Sequence, residues 1–398
     1  MAATSDAAPV IRLSGWLYED GRFREGSVTV EDGIVADVSR RKAREPIAKG
    51  LILPAFGNAH THAGDAVVRE ELVGGLEELV APPHGLKHRV LAASKDADVV
   101  AAMRAYFDTM LRTGTASFWD FREMGVRGLR QIYEATLGLP LRPFVLGRPA
   151  KMSYDADEVR AILRACDGIG LSSLLDWDAG DAAKIARDAH AAGKAFALHA
   201  SERVREDIDV ILHLKPDLLV HLLEATDADL ERVADAGVPV AVCPRSNAFF
   251  GKLVDLPRLA RIGIPFLLGT DNAMVNAPSM LRELDFAWRV ARLRGGVEPR
   301  ILLDAALRGG KGLRGTGHLA VVPGEPAELL VLEVPGPPTF GGVFRAVETD
   351  IALVSAGGRT WLRRHGELLE VAARGKPPGR RRRGRPPPRG SGRRRSAT

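Results

Sequence analysis

The chain is expected to be an α/β protein, a (β/α)8 TIM barrel with a small β-sandwich domain formed by both chain ends. Three observations predict this. Strand patterns around hairpin turns fill the first fifty residues, eight short apolar runs alternate with segments of helical period over residues 54–315, and strand patterns then return. Length agrees: the chain has 398 residues, and a barrel of this kind takes roughly 250, which leaves room for one small accessory unit. A doubly wound open sheet is the alternative for the same alternation.

Taken in order, VIRLSGWLYE and GRFREGSVTVEDGIVADVS alternate apolar and polar residues around Asp20-Gly21 and Asp32-Gly33, dipeptides suited to tight hairpins. From Leu51 the expected strands are LILPAFGNAH, TASFWDF, LRPFVLGRP, IGLSSLL, AFALHAS, DLLVHLL, VPVAVCP and IPFLLGTD. Helical segments such as DADVVAAMRAYFDTMLRTG, YDADEVRAILRAC, DAAKIARDAHAAG, DADLERVADAG and SMLRELDFAWRVARLR lie between them, several opening on Asp or Ser and closing on Gly. GHLAVVPGEPAELLVLEV, AVETDIALVSAGGRTWL and HGELLEV return to strand alternation. Segments 1–53 and 316–371 are each too small to bury much alone, so they are expected to pair into one β-domain interrupted by the barrel, residues 54–315. Residues 372–398 are rich in Arg, Pro and Gly without apolar periodicity and are expected to be disordered.

Charge is unevenly spread. The net +6 comes from 56 Lys+Arg against 50 Asp+Glu, but residues 372–398 hold ten Arg, one Lys and no acid, so the first 371 residues carry 45 basic and 50 acidic groups, a net of −5. Two cysteines, Cys166 and Cys243, supply no disulfide framework, and the opening MAATSDAAPV has no signal-peptide pattern. No uncharged apolar stretch reaches about 18 residues, so a cytoplasmic setting without a membrane partner is expected. The tail has the charge density for non-specific nucleic-acid contact that weakens with salt, though no aromatics for base stacking. It supports a reading from another class, a nucleic-acid-associated protein acting through its basic tail.

The sharpest chemical feature is His60-Thr61-His62 after LILPAFGNA. Alternate residues of an extended segment face one side, so two imidazoles at i and i+2 can converge on one metal ion. The C-terminal end of a barrel strand is where such active sites form. His199 ends AFAL, His221 ends DLLV and Asp271 ends IPFLLGT, each on a different expected strand. Together they predict a mononuclear metal site with His60, His62, His199 and Asp271 as ligands. The ion is one divalent metal, Zn2+ with Fe2+ as the alternative, because both take this donor set. Glu202, in HASE, is placed to move a proton between a metal-activated water and a leaving group. His221 is expected to support the ligands or polarise the substrate, and Asp271 to handle the proton of the nucleophilic water as well as bind the ion.

The motifs PAFGNAHTH, LHASE, VHLLEATDADLERVADAG, VAVCPRSNAFFG, LLGTDNAMVNAPSML and PGEPAELLVLE, in this order and spacing, resemble the amidohydrolase superfamily. The similarity is to the branch containing cytosine, guanine and S-adenosylhomocysteine deaminases and the triazine hydrolases, and it extends to about Val371. It implies the interrupted β-domain, hydrolysis with zinc or iron, the same four ligands, and the roles given to Glu202 and His221. A homodimer is common among such enzymes. Dinuclear members of the superfamily usually carry a carboxylated Lys at the end of the fourth strand, where GIGLSSLLDWD has none; a single ion is implied.

Departures from that pattern bear on substrate. The nearest deaminases continue after HTH with an apolar run and an Arg-Gly, whereas this chain reads AGDAVVREELVGGLEELVAPPHGLKHRVL. The insert is expected to be a lid whose Lys87, His88 and Arg69 meet an anionic or strongly polar substrate. Arg245 is a candidate for bidentate recognition of a carboxylate or planar heterocycle, with Ser246, Asn247 and Asn276 as neighbours on the rim; Asp120 and Arg122 follow the second strand. His84, His190, His213, His318 and His365 are expected on loops or helix surfaces. The expected activity is hydrolytic deamination of an amino-substituted small molecule, a nucleobase, nucleoside or related heterocycle. A formimino or amide C–N hydrolase acting on a carboxylated substrate is the alternative.

Overall fold

The computed structural model describes residues 10–309 and 318–371. The Arg-rich tail, with the disorder and nucleic-acid contact expected of it, lies outside the described residues.

The chain opens with β1 (Ile11–Glu19), β2 (Arg22–Glu31), β3 (Ile34–Ser39) and β4 (Ala48–Pro54). Both hairpin turns use left-handed backbone, with Asp20 at φ 41°, Gly21 at 92°, Asp32 at 49° and Gly33 at 75°, the conformation that lets strand twist continue through a two-residue turn. A second series follows: β5 (Phe56–His62), β6 (Thr115–Arg122), β7 (Arg142–Gly147), β8 (Gly168–Leu171), β9 (Ala195–Ala200), β10 (Leu218–His221), β11 (Val240–Val242), β12 (Phe266–Leu268) and β13 (Asp271–Asn272). The chain ends in β14 (Leu329–Leu332), β15 (Ile351–Ala356), β16 (Arg359–Arg364) and β17 (Glu367–Glu370).

Strands β5 to β13 form one parallel sheet of nine, in the order β12-β11-β10-β9-β8-β7-β6-β5-β13. Every residue of β5, β6, β8, β9 and β10 is buried, which explains their continuous apolar runs: both faces of a parallel sheet are covered. On one face lie the connecting helices, among them Asp96–Arg112, Ala156–Ala165, Ala179–Ala191, Asp227–Asp235 and Met280–Leu293. Of the caps read from sequence, Asp155 and Ser279 each accept a hydrogen bond from a first-turn N–H; the segments opening on Asp181 and Asp227 are capped instead by Asp178 and Thr226 just upstream, and the helix from Asp96 has no side-chain cap. On the other face the sheet curls around its own small core, where Ala59, Trp119, Leu146, Ala197, Val220, Ala241 and Leu267 pack together.

The remaining strands form a separate sheet ordered β17-β16-β15-β14-β4-β1-β2-β3. The two chain ends meet where β14 runs antiparallel to β4, pairing Leu330 with Leu53 and Leu332 with Leu51. In place of the two sheets of a sandwich there is one continuous sheet, whose arms share a core that includes Leu13, Val28, Val331 and Leu353.

Two expected strands are each divided. LILPAFGNAH crosses from the outer sheet to the inner one at Ala55, whose N–H donates to Glu328 O at 2.9 Å while that of Phe56 donates to Gly114 O at 2.9 Å. IPFLLGTD breaks at Gly269 and Thr270: β12 pairs with β11 and β13 with β5. No helix among the described residues is long and apolar enough to cross a membrane.

Candidate active site

The C-terminal ends of β5, β9 and β10 and the first residue of β13 bring His60, His62, His199, His221 and Asp271 together. Donor atoms of His60, His62 and His199 lie within 4.8 Å of one another, as do those of His60, His221 and Asp271. Left-handed backbone marks the same rim: Ser201, His221, Leu222 and Asp271 have φ of 47°, 75°, 56° and 58°. Strained non-glycine backbone persists only where its surroundings hold it. Asp271 is held by Ser246 Oγ, which donates to its Oδ2 at 2.6 Å, while Thr270 N–H donates to Asn58 Oδ1 at 3.0 Å and Asn276 Nδ2 to Thr270 O at 3.1 Å.

Ring orientation tells what the cluster is for. His199 Nδ1 lies 2.8 Å from Leu171 O, and His62 Nδ1 lies 3.1 Å from Phe121 O and 2.8 Å from Glu123 Oε1. Each of these partners is an acceptor, so both Nδ1 atoms carry the proton and both Nε2 atoms present bare lone pairs. Those two Nε2 atoms are 3.2 Å apart. Two lone pairs facing each other in a buried site repel unless a cation lies between them. His60 is fully buried with neither ring nitrogen in a hydrogen bond, and its Nε2 lies 3.2 Å from Asp271 Oδ1. Burial pushes the imidazoles of His60, His62, His199 and His221 below their ordinary range, which keeps them neutral, the form that binds metal. The donor set fits a divalent cation.

Glu202 and His221 face each other, with Oε1 and Nε2 3.3 Å apart. Asn247 Nδ2 lies 3.1 Å from His221 Nδ1 and, by donating there, leaves the ring proton on Nε2, directed into the site. The loop carrying Glu202 is clamped by groups that sequence reasoning did not single out. Lys252 Nζ donates to the carbonyls of Glu202 and Arg203 at 2.7 and 2.8 Å, and Glu206 accepts from Ser201 N–H at 2.6 Å and Ser173 Oγ at 2.8 Å. Burial, then the charge of Asp271, pushes the Glu202 carboxyl above the usual carboxylate range; burial acts upward on Asp271 too but is outweighed by His60 and the other imidazoles, which hold it well below that range. Unlike environments thus make one carboxyl an acid and the other a carboxylate.

A cavity of about 50 Å3 opens onto these groups, lined by His62, His199, Glu202, His221 and Asp271, and by Lys87, Arg148, Ser172, Ser173, Asp176 and Arg203. Leu76, Val80, Ala81 and Pro82 of the insert roof it. Of the residues expected to contact substrate, Lys87 lines the cavity, with its Nζ 2.9 Å from Glu123 Oε1. His88 turns to Val80 O at 3.1 Å, and Arg69 is exposed outside the lining. Arg245 is committed elsewhere: its Nε donates to the buried Glu283 carboxylate at 2.6 Å and an Nη2 to Ala277 O at 2.8 Å. Asn247 and Asn276 support His221 and the β12–β13 turn as described. Asp120 accepts from Thr61 Oγ1 at 2.9 Å and Ala63 N–H at 2.7 Å, behind the HxH segment. Arg122 donates to Gly128 O at 3.2 Å and Gln131 Oε1 at 3.1 Å.

The amidohydrolase family model matches residues 51–310. A Methanothermobacter thermautotrophicus protein, described provisionally as an aminohydrolase, is 33% identical over 360 residues, covering 84% of this chain and 93% of its own. A 5-methylthioadenosine/S-adenosylhomocysteine deaminase of Halobacterium salinarum is 25% identical over 372 residues, covering 82% and 85%. Among solved structures, an adenosine deaminase of Xanthomonas campestris with bound zinc superposes with a TM-score of 0.74 at 17% identity, over 91% of this chain and 94% of that one. This last likeness is one of fold.

Proposed function

Because the chain belongs to the amidohydrolase family, hydrolases of carbon–nitrogen bonds, we propose that it deaminates an amino-substituted heterocycle, with His60, His62, His199 and Asp271 holding one divalent cation, zinc in the first instance. The observation that carries this is the pair of bare His62 and His199 nitrogens 3.2 Å apart, beside the unsatisfied His60 ring and the Asp271 carboxylate. A divalent ion held there supplies a water that ionises near neutral pH, ~7 instead of 15.7.

The residues divide the remaining work. Asp271, the ionised carboxylate, orients the attacking water and takes its proton. Glu202, the carboxyl kept protonated by burial, gives a proton to the ring nitrogen next to the amino-bearing carbon. His221, with Nε2–H facing inward, polarises that carbon's substituent as the water oxygen bonds to it. The amino group then takes the proton held by Asp271 and leaves as ammonia, while the hydroxyl on the same carbon returns its proton to Glu202 as the carbonyl forms, so water and amine yield a carbonyl and ammonia and both carboxyls regain their starting forms. Ser172 and Ser173 follow β8 where dinuclear relatives would carry Lys, which supports a single ion.

The same reading extends to architecture. β12 and β13 are separated only by Gly269 and Thr270, yet they pair with opposite ends of the inner sheet, β11 and β5. Counted as one interrupted strand, they close eight strands into a (β/α)8 barrel, residues 54–315, set on a β-domain built from 1–53 and 316–371. Arg245 pairs with Glu283, which removes one of the two grounds for a carboxylated substrate. Ammonia release from purines, pyrimidines and pterins, set against release from N-formimino acids, tests the assignment.

A further inference from the structure

One buried cluster beside the site is left unused by this chemistry. Glu123 Oε1 lies 2.8 Å from His62 Nδ1, 2.9 Å from Lys87 Nζ and 3.4 Å from an Arg148 Nη2, and its Oε2 is 3.8 Å from an Arg122 Nη1. Glu123, Lys87, Arg148 and Arg122 are all at least 95% buried. Three cations therefore share one carboxylate, and that carboxylate also backs the ring whose Nε2 faces the cation site. Two further carboxyls lie near: burial pushes Asp65 well above the usual carboxylate range, so it offsets the cations only weakly, whereas Asp120 is pushed up to about 6 and, ionised at neutral pH, offsets part of the positive surplus. Lys87 is delivered by the insert, on the helix Leu86–Ala93.

A carboxylate on the far nitrogen of a ligating imidazole fixes its tautomer and raises its donor strength. A buried ammonium on the same carboxylate withdraws part of that charge and, being positive, opposes a second cation nearby. Resting on the cation-site reading above, we propose that Glu123 and Lys87 are positioning residues that act on the cation site through His62 in opposite directions. Glu123 tightens the site, and Lys87, carried in by the insert, moderates it and keeps the ion electrophilic.

The test is zinc affinity of the full-length, zinc-stripped protein by competition with a chromogenic chelator, for wild type, Glu123→Gln, Lys87→Met and the double variant. Glu123→Gln should bind zinc about 10–100-fold more weakly. Lys87→Met should bind at least as tightly as wild type, and the double variant should recover part of the Glu123→Gln loss, because removing the surplus cation relieves the same repulsion. Lys87→Arg, which keeps the charge, should match wild type. Weaker zinc binding by Lys87→Met, or a double variant as weak as Glu123→Gln, overturns the proposal; the Lys87→Met arm decides even if Glu123→Gln does not fold. Wild-type protein that binds no zinc overturns the cation-site reading itself, a result distinct from zinc binding with the wrong ordering of variants.

Discussion

Glu202 and Asp271 are both buried carboxyls on one rim, and neighbours rather than residue type separate them: burial raises both, but at Asp271 the surrounding imidazoles together outweigh it. Glu202→Gln should leave zinc content unchanged and lower kcat by about 10²–10⁴; unimpaired turnover would remove Glu202 from the mechanism. The acid form of Glu202 is the working one, so kcat/KM should fall as pH rises through its raised pKa. Burial is the larger cause of that shift, so this alkaline limb belongs above the ordinary carboxylate range. A limb complete below about pH 5 would show an unshifted group. At this scale the sequence was readable where residues sit at strand ends, as His60, His199, His221 and Asp271 do. It was unreadable where partners are remote in sequence: Arg245 has a rim position, but its guanidinium is used by Glu283, 38 residues on. Glu123 was missed because a single Glu following FWDFR carries no pattern; its place just past β6, beside His62, is visible only in three dimensions.

At the scale of elements, the break between β12 and β13 does the positioning. A Cβ on Gly269 would lie 2.7 Å from both the Cβ and the backbone N of His60, so this glycine allows two strands to approach and aim His60 and Asp271 at each other. Gly269→Ala should cost about 1–3 kcal/mol of stability, the usual penalty of overpacking, and should weaken zinc binding along with it. Wild-type zinc affinity in a folded Gly269→Ala variant would contradict this role. The alternation of apolar runs and capped helices made the inner sheet legible, but an uninterrupted apolar run does not show where a strand changes partner. That is why LILPAFGNAH and IPFLLGTD each read as one strand. Ala55 and Gly269–Thr270 mark the changes, and hydrogen bonds to Glu328, Gly114 and Asn58 fix them.

Over the whole molecule, the outer sheet is tied to the helical layer by Tyr18 of β1, whose hydroxyl donates to Asp304 on the helix Pro299–Arg308. Burial and that carboxylate raise the phenol's pKa above its ordinary value, so the folded chain keeps the proton where the unfolded chain, ionising near pH ~10, loses it. The contribution is therefore complete below that pH and declines above it. Tyr18→Phe should melt lower at pH 7, by about 1–3 kcal/mol for a buried carboxylate losing a partner, lose less on going above pH ~10, and keep wild-type turnover. Pairing of the chain ends was legible from their shared alternation, whereas their union into one eight-stranded sheet through β4 and β14 was not, since strand pattern carries no pairing order. The cluster on the inner-sheet rim is proposed to hold a cation and to deaminate a heterocycle, a reading that stands or falls on ammonia. That reading is tested most directly by ammonia release from amino-substituted purines, pyrimidines and pterins, before and after metal chelation. Release from at least one of them is expected, abolished by chelation, restored by one equivalent of zinc and absent in Glu202→Gln. Zinc-loaded protein that releases no ammonia from any of them, or turnover that survives chelation, would contradict it.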